Sequence, residues 1–222
     1  NIILITTDQQ RADTINAAGA DWVITPNLDK MAVEGTIFTN AFCCAATCVS
    51  SRSVLYTGLY PHATGVFAFD TYRGRLNWTH RLKAQGYRTI SIGKTHIDGG
   101  SHGFDQRIAG QGNKISPGSW DDDESTIRHK SLWLEELEAA GLERPVDLHK
   151  KDPDFWNKLA AVEWTLPEEW HFDVWMGRKA VEWIEAEKAT DDPLFLHIGF
   201  LGPHDLYDTP RRYIDLYDDD RI

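Results

Sequence analysis

The sequence has little cysteine, few basic residues and no long apolar stretch. Its three cysteines, two of them adjacent, are too few for a disulfide framework. No apolar run approaches the length of a membrane-spanning helix, and no signal peptide is recognisable. The 23 lysines and arginines stand against 34 acidic residues, so the formal net charge is -11. We therefore expect neither a nucleic acid nor a membrane as a partner.

The chain is long enough to bury the core of one α/β domain, with 222 residues of which 41% are hydrophobic. Short β-rich segments alternate with helical patterns, which predicts a mostly parallel sheet flanked by helices. The chain starts at Asn1 without an initiator methionine. We expect the natural chain to be longer, so the lack of a signal peptide leaves both a periplasmic or secreted and a cytoplasmic location open.

Strand composition occurs in four segments, residues 2–7, 36–42, 87–92 and 194–200. The first of them is predicted to be a buried strand. Thr25 and Pro26 predict the N-cap and first residue of a helix that stops at Gly35. Further helices are predicted from 48 to about 58, from 77 to 85 and from about 172 to 188.

Cys48 lies where one of these helices is predicted to begin. A helix N-terminus offers free N–H groups and the positive end of the helix dipole, which favour a nucleophile or an oxyanion. Arg52 follows one turn later and can direct its planar set of donors to the same point. An isolated cysteine is more often a small buried residue, and we interpret Cys43 and Cys44 in that way.

Polar side chains follow three of the predicted strands: Asp8 and Gln9, then Lys94 and His96, then His204. Open α/β sheets place their sites at the carboxyl ends of the strands, so these residues are expected to converge with the helix start on one pocket. Taken singly, each has an ordinary structural explanation, such as a cap, a surface lysine or a turn. Because the chain is acidic overall, an anionic substrate would need a local cation or basic cluster.

Residues 48–62, 86–96 and 200–205 together resemble the motifs of the type I sulfatases. That family belongs to the alkaline-phosphatase-like superfamily, which includes the phosphonate monoester hydrolases. The resemblance implies an alkaline-phosphatase-like α/β fold with a mixed, mostly parallel sheet. It also implies that a formylglycine-generating enzyme oxidises Cys48 to formylglycine, an aldehyde whose hydrate supplies the attacking oxygen.

A divalent cation is the second group that the resemblance implies. Asp8 and Gln9 would bind it, together with the hydrate formed from Cys48. The family expectation is calcium in a sulfatase and manganese in a phosphonate hydrolase, and oxygen ligands suit both ions.

The remaining roles also come from the resemblance. Arg52 would hold the site together, while Lys94 and His96 would neutralise the sulfate oxygens and His204 would protonate the leaving alcohol. The hydroxyl of the hydrate would attack sulfur in line, and the adduct would then collapse to the aldehyde and expel sulfate.

Two positions depart from the family pattern. Ser50 stands where proline or alanine is usual, at a position that the maturation enzyme recognises. Thr95 stands between Lys94 and His96, where an aromatic residue or methionine is more usual.

Members of this family are considerably longer than 222 residues, and their second pair of metal ligands and a further lysine lie downstream. We therefore expect residues 1–222 to be the N-terminal catalytic portion of one sulfatase-like domain, with its C-terminal portion absent. A tryptophan-rich insertion at about 110–175 is expected to set substrate choice. Within it Trp120 is the candidate for stacking on a sugar or aryl group. Trp175 and Trp183 lie on the predicted helix from about 172 to 188 and are expected in the core.

Three functions remain open. The first is hydrolysis of a sulfate monoester of a sugar or small alcohol, by a sulfuric ester hydrolase that meets its maturation enzyme as a partner. The second is hydrolysis of a phosphonate monoester or phosphodiester, which the same residues would serve. The third is a non-catalytic fragment or homologue, for which Ser50 and the missing metal ligands are the argument.

Overall fold

The computed structural model describes residues 1–70, 76–96, 101–108, 132–143, 154, 157, 161–186 and 191–217. Within them a four-stranded sheet has the order β1-β5-β2-β3. These strands are β1 (Ile2–Thr6), β2 (Arg88–Gly93), β3 (Gln106–Ile108) and β5 (Leu194–Gly199), and all neighbours are parallel. A separate parallel pair joins β4 (Ala161–Glu163) to β6 (Tyr207–Thr209).

Along the chain, the described α-helices lie between these strands, except the last, which follows β6. They are α1 (Pro26–Glu34), α2 (Cys48–Thr57), α3 (Pro61–Thr64), α4 (Trp78–Ala84), α5 (Leu132–Ala139), α6 (Phe172–Ala186) and α7 (Arg211–Ile214). None of the described helices is long and apolar enough to cross a membrane.

Strand β5 carries the core on both of its faces. Leu196 and Ile198 point to a cluster that includes Trp175 and Met176 of α6. Phe195 points to the other side, where it packs with Tyr56 of α2 and other buried side chains. This alternation is the period-two pattern of a central strand, and it explains why β5 carries apolar residues on both faces.

The predicted parallel α/β architecture is confirmed. Helices α1, α2, α4 and α6 begin where the sequence predicted, and Gly58 ends α2 with a left-handed φ of 69°. The prediction that Trp175 belongs to the core is also confirmed, and Trp183 packs against the same cluster. Residues 187–188 of the last predicted helix, and Trp120, lie outside the described residues.

Three local predictions are wrong. Residues 36–42 form no strand, and Phe38 and Phe42 are exposed, because no described strand pairs with this segment. Strand β1 exists but is not buried: Ile2, Ile3 and Ile5 are exposed, since β5 is its sole neighbour among the described strands.

The third wrong prediction concerns the cysteines that precede α2. Cys43 and Cys44 are both exposed rather than buried. They lie in the irregular segment between α1 and α2, which no described strand or helix covers.

Candidate active site

The carboxyl ends of the sheet and the start of α2 meet at one cleft of about 630 Å³. Because β1, β2 and β5 are parallel, the residues that follow them emerge at the same edge of the sheet. Five of the predicted site residues line the cleft: Asp8, Gln9, Cys48, Arg52 and His204. The other two, Lys94 and His96, are buried next to it and are not among the described lining residues.

Asp8 is a buried carboxylate held by two cations. Its Oδ2 accepts a hydrogen bond from Nη2 of Arg52 at 3.0 Å and contacts Nζ of Lys94 at 3.0 Å. Burial raises the pKa of Asp8, but the charges and hydrogen bonds of Lys94 and Arg52 outweigh it and leave the pKa below its ordinary value. Asp8 is therefore ionised at neutral pH.

Arg52 connects three elements of the fold at this point. It projects from α2, donates from Nη2 to Asp8 after β1, and donates from Nη1 to the carbonyl oxygen of Lys94 after β2 at 2.7 Å. Its guanidinium is buried, so these bonds lie in a medium that screens charge weakly. The planar fork of Arg52 thus sets the spacing between Asp8 and Lys94.

The segment that carries Lys94 and His96 is fixed by its neighbours. Lys94 donates its backbone N–H to the carbonyl oxygen of Gly199 at 2.7 Å. Gly93 has a φ of 88°, and a Cβ there would collide with Met176 and Gly199, so only glycine fits. His96 also has a left-handed φ, of 51°.

Thr95 is completely buried, and its hydroxyl accepts a hydrogen bond from Nη2 of Arg107 at 2.6 Å. Arg107 lies on β3, opposite Ser91 of β2. The departure at Thr95 thus has a partner that the sequence did not reveal, because the contact depends on how β3 pairs with β2. The contact anchors the middle residue between Lys94 and His96.

His204 lies half-buried at the tip of the loop after β5. Its Nδ1 contacts the carbonyl oxygen of Asp205 at 2.6 Å and the carboxylate Oδ1 of Asp205 at 2.9 Å. Both contacts involve Nδ1, which leaves Nε2 as the ring nitrogen that can face a substrate.

Asp173 holds the same loop from the first turn of α6. Its two oxygens accept the backbone N–H groups of Leu201 at 2.9 Å and Gly202 at 2.8 Å. The carbonyl oxygen of Gly202 in turn accepts the N–H of Asp8 at 3.1 Å. Burial raises the pKa of Asp173, and its two backbone donors offset that rise only in part. Asp173 is not among the site residues predicted from the sequence, where its place in the first turn of a helix is the one available signal.

Cys48 is the first residue of α2 and is partly exposed to the cleft. Ser50, at the unusual position, is completely buried, and its hydroxyl donates to the carbonyl oxygen of Thr47 at 3.3 Å. Ser51 instead lines the cleft. The side chain of Ser50 is thus buried in the first turn of α2 and does not line the cleft beside Cys48.

His197 is a buried residue beneath the site, and it too is not among the site residues predicted from the sequence. Its Nε2 contacts the hydroxyl of Thr6 at 3.1 Å and its Nδ1 contacts the hydroxyl of Tyr56 at 3.0 Å. Burial, with the charges of Arg52 and Arg107, lowers the pKa of His197 to about 3. The imidazole is therefore neutral at physiological pH and joins β1, β5 and α2 through hydrogen bonds.

The divalent cation that the resemblance implies has two candidate ligands here, Asp8 and Gln9. Both cationic contacts of Asp8 use Oδ2, and Oδ1 has no partner in the described part of the chain. Gln9 adds an exposed amide whose Nε2 donates to the hydroxyl of Tyr207 at 3.3 Å. No group of three His, Cys, Asp or Glu side chains among the described residues could hold a metal ion. Asp8 and Gln9 fit part of a calcium site, which takes roughly six to eight oxygen ligands.

Comparison with known proteins identifies relatives over the whole length of the chain. The sulfatase family model matches residues 1–221. An arylsulfatase of Clostridium perfringens is 28% identical over 236 residues, which cover 100% of this chain and 47% of that protein. Iduronate 2-sulfatase of Homo sapiens is 28% identical over 233 residues, which cover 98% of this chain and 37% of that protein.

Among solved structures, the phosphonate monoester hydrolase of Agrobacterium radiobacter is similar with a TM-score of 0.70. It is 23% identical, and the match covers 98% of this chain and 44% of that one. This likeness concerns the fold, and it confirms the predicted alkaline-phosphatase-like architecture. The chain spans less than half the length of all three proteins.

Proposed function

This chain belongs to the sulfatase family, and we propose that it hydrolyses sulfate monoesters of sugars or small alcohols through a formylglycine derived from Cys48. The observation that carries the proposal is the position of Cys48: it starts α2 in the same cleft as Asp8, Arg52 and His204. A sulfate ester in that cleft would meet a nucleophile, a buried cation pair and an acid catalyst together.

The cation site is proposed to use Asp8 and Gln9, with the modified Cys48. A calcium ion bound there would polarise a sulfate oxygen and lower the pKa of the attacking hydroxyl. Arg52 and Lys94 keep Asp8 ionised, because a buried carboxylate without cationic partners would take up a proton. The two cations thus keep the carboxylate of Asp8 negatively charged, as a ligand for the proposed cation, at a position withdrawn from water.

Three further residues are proposed to stabilise the charges that develop during the reaction: Lys94, His96 and His204. Lys94 and His96 would neutralise the negative charge that builds up on the sulfate oxygens. His204 would donate the proton on Nε2 to the leaving alcohol oxygen, since Asp205 engages Nδ1 and fixes the orientation of the ring.

The runner-up is a phosphonate monoester or phosphodiester hydrolase, in which the cation would be manganese. The structural likeness to a phosphonate monoester hydrolase favours it, but at 23% identity that likeness speaks for the fold. The relatives found by sequence are an arylsulfatase and an iduronate 2-sulfatase, and their names favour the sulfate ester. Rates on an aryl sulfate and on an aryl phosphonate monoester, measured side by side, distinguish the two.

The first test is the mass of the peptide that contains Cys48, from protein made together with a formylglycine-generating enzyme. Conversion of the thiol to the aldehyde lowers the mass by about 18 Da. We expect this loss, and we expect Cys48→Ala to abolish turnover with little change in the free energy of unfolding. Cys43→Ala, at an exposed cysteine of the same cleft, is the matched control and should keep turnover. An unmodified thiol would favour the non-catalytic homologue.

The prediction that residues 1–222 are the N-terminal catalytic portion of one longer domain stays a prediction. The coverage of 47% and 37% of the two relatives supports it.

A further inference from the structure

Three side chains, Tyr56, His197 and Thr6, form a hydrogen-bond chain from the core to the cleft. His197 lies on the central strand β5 and is completely buried. Its Nδ1 is 3.0 Å from the hydroxyl of Tyr56, and its Nε2 is 3.1 Å from the hydroxyl of Thr6. Thr6 is the last residue of β1 and lines the cleft, two residues before Asp8. The hydrogen-bond chain therefore connects a buried phenol to the place where the ester is proposed to bind.

The pairing of β1 with β5 lets the imidazole reach Thr6. Thr6 is paired with Gly199, which follows His197 by two residues and so lies on the same face of β5. Gly199 has no side chain, and a Cβ there would lie 3.1 Å from Cε1 of His197. The ring thus lies beside Gly199, at the carboxyl end of the strand, where the cleft lies.

The neighbours of Nδ1 decide which ring nitrogen of His197 carries the proton. The imidazole is neutral at physiological pH, so one nitrogen donates a hydrogen bond and the other accepts one. Two hydroxyls face Nδ1, that of Tyr56 at 3.0 Å and that of Ser91 at 3.4 Å. Both residues are completely buried, and neither hydroxyl has another hydrogen-bond partner in the described part of the chain. A proton on Nδ1 would leave both hydroxyl protons without an acceptor.

The burial of Tyr56 fixes the direction of the hydrogen bonds. Burial raises the pKa of its phenol, so the hydroxyl keeps its proton at physiological pH, and a buried O–H without an acceptor is costly. Tyr56 therefore donates to Nδ1 of His197, and the ring proton lies on Nε2. The Nε2–H group donates in turn to Oγ1 of Thr6. The proton of the Thr6 hydroxyl then has no acceptor among the described residues, and it can be directed into the cleft.

We propose that Thr6 binds an oxygen of the anionic group of the substrate, and that His197 is the residue that positions it. The Nε2–H of His197 occupies a lone pair of Thr6 Oγ1 and thereby turns the hydroxyl proton of Thr6 toward the cleft. This inference rests on the proposed function, because it needs an anionic ester in the cleft beside Asp8. A donor fixed in this direction suits an anion, since the oxygens of an oxyanion only accept hydrogen bonds.

The other tautomer of His197 would present the opposite group to the cleft. If Nε2 accepted the proton of Thr6, the hydroxyl would offer only lone pairs to the substrate, and these repel an anion. Tyr56, which does not line the cleft, therefore determines what Thr6 offers to it. A variant that lacks the phenol hydroxyl permits both tautomers.

The first experiment measures the tautomer of His197 from the ¹⁵N chemical shifts of its imidazole. The protein is labelled at histidine, and the signal is assigned with His197→Gln. We expect a proton on Nε2 from about pH 5 to pH 8, because the ring stays neutral over that range. Tyr56→Phe should shift the ring toward the tautomer protonated at Nδ1. A wild-type ring protonated at Nδ1 would overturn the proposal, and this result needs no turnover.

The second experiment measures the Kd of inorganic sulfate and kcat/KM for 4-nitrophenyl sulfate in wild type and variants of the full chain. Thr6→Val keeps the shape of the side chain but removes the hydroxyl, so both constants should worsen about tenfold. Thr6→Ser restores a hydroxyl and should recover most of this loss. Tyr56→Phe should lose about threefold, because only part of the molecules keep the donating tautomer. The double variant should lose no more than Thr6→Val alone.

Thr89→Val is the matched control for Thr6→Val. The Thr89 hydroxyl is also completely buried, and it donates to the carbonyl oxygen of Gly103 at 2.8 Å. Thr89 lies at the amino end of β2, away from the cleft. Its loss should lower the free energy of unfolding but leave sulfate affinity and kcat/KM within about twofold. Equal losses in Thr6→Val and Thr89→Val, or wild-type constants in Thr6→Val, would overturn the role of Thr6.

The two experiments separate this inference from the proposed function. A wild type that turns over no sulfate ester, but whose Kd for sulfate depends on Thr6, would contradict the proposed function and support Thr6 as an anion-binding residue. A wild type that is active and loses nothing in Thr6→Val would overturn the inference alone.

Discussion

Asp8 and Asp173 are both carboxylates withdrawn from solvent, Asp8 in the cleft and Asp173 against the loop that carries His204, yet their pKa values move in opposite directions. Burial raises the pKa of both side chains. Asp8 is bonded to the cations Lys94 and Arg52, which reverse the shift, whereas the two backbone N–H groups on Asp173 do not. The comparison shows that two neutral donors offset only part of the effect of burial on the pKa of a carboxylate, whereas two cationic donors more than offset it.

The two residues accordingly serve the site in different ways. Asp8 offers a permanent negative charge where a cation is proposed to bind. Asp173 fixes the backbone of Leu201 and Gly202, and so places the loop that carries His204. Charge matters for the first carboxylate and acceptor geometry for the second, and substitution by asparagine separates these two requirements.

Asp8→Asn is expected to have the largest effect. It leaves Arg52 and Lys94 buried without a negative partner, so the free energy of unfolding should fall by about 3 kcal/mol. Urea unfolding of the full chain measures this. The control is Asp13→Asn, which breaks the exposed pair with Arg11 and should leave the unfolding midpoint unchanged. Equal midpoints for the two variants would contradict the role assigned to the buried cluster.

Asp173→Asn should lower the free energy of unfolding by a smaller amount, about 1–2 kcal/mol. One oxygen remains to accept a backbone N–H, but the amide nitrogen then faces a second donor, and one hydrogen bond is lost. Turnover should fall as well, because His204 loses its fixed position. Glu182→Gln, at an exposed position on the same helix, is the control. Unchanged turnover in Asp173→Asn would separate this loop from the reaction.

Thr95→Val removes a neutral hydrogen-bond acceptor from a cationic donor, and it should lower the free energy of unfolding by about 1 kcal/mol. The substitution keeps the shape of the side chain but removes the acceptor of Arg107. Thr95→Val, Arg107→Met and the double variant form a cycle in which we expect the two losses not to add. Additive losses would mean that the two side chains do not stabilise one another.

The smallest expected effect is a difference in pH dependence between the two asparagine variants. The folded-state pKa of Asp8 lies below its unfolded value of 3.8, so its stabilisation is present above that pH and is lost as the pH falls below it. The pKa of Asp173 is raised, so its contribution is present at acid pH and is lost as the pH rises above 3.8. Unfolding in urea between about pH 3 and pH 6 should therefore show the cost of Asp8→Asn growing with pH and that of Asp173→Asn shrinking. Parallel profiles would refute the opposite shifts.

Much of the fold follows from local patterns in the sequence. Pro26 and Gly35 bound α1, Gly58 ends α2, and Asn77 caps α4 with bonds to the N–H groups of Thr79 and His80. These signals work because capping and turn conformations depend on a few neighbouring residues. The errors at residues 36–42 and in strand β1 have the opposite cause, since pairing and burial depend on segments that are distant in the chain.

In the candidate site, too, some features follow from local sequence signals and others depend on contacts between distant segments. The sequence identified residues that follow three strands and residues at the start of α2, and the structure brings three of the former and two of the latter to one cleft. The roles of Cys48, Lys94, His96 and His204 stay predictions until the experiments above are done.

Composition, strand and helix periodicity and the motifs around Cys48, Lys94 and His204 were enough to derive the fold class, the family and the candidate chemical groups. The contacts among those groups were decided by folding. Arg52 and Lys94 are 42 residues apart and meet at one oxygen of Asp8, and Asp173 reaches across 28 and 29 residues to the loop that carries His204. Such contacts depend on the register of parallel strands and the packing of helices on them, and neither is encoded by neighbouring residues alone.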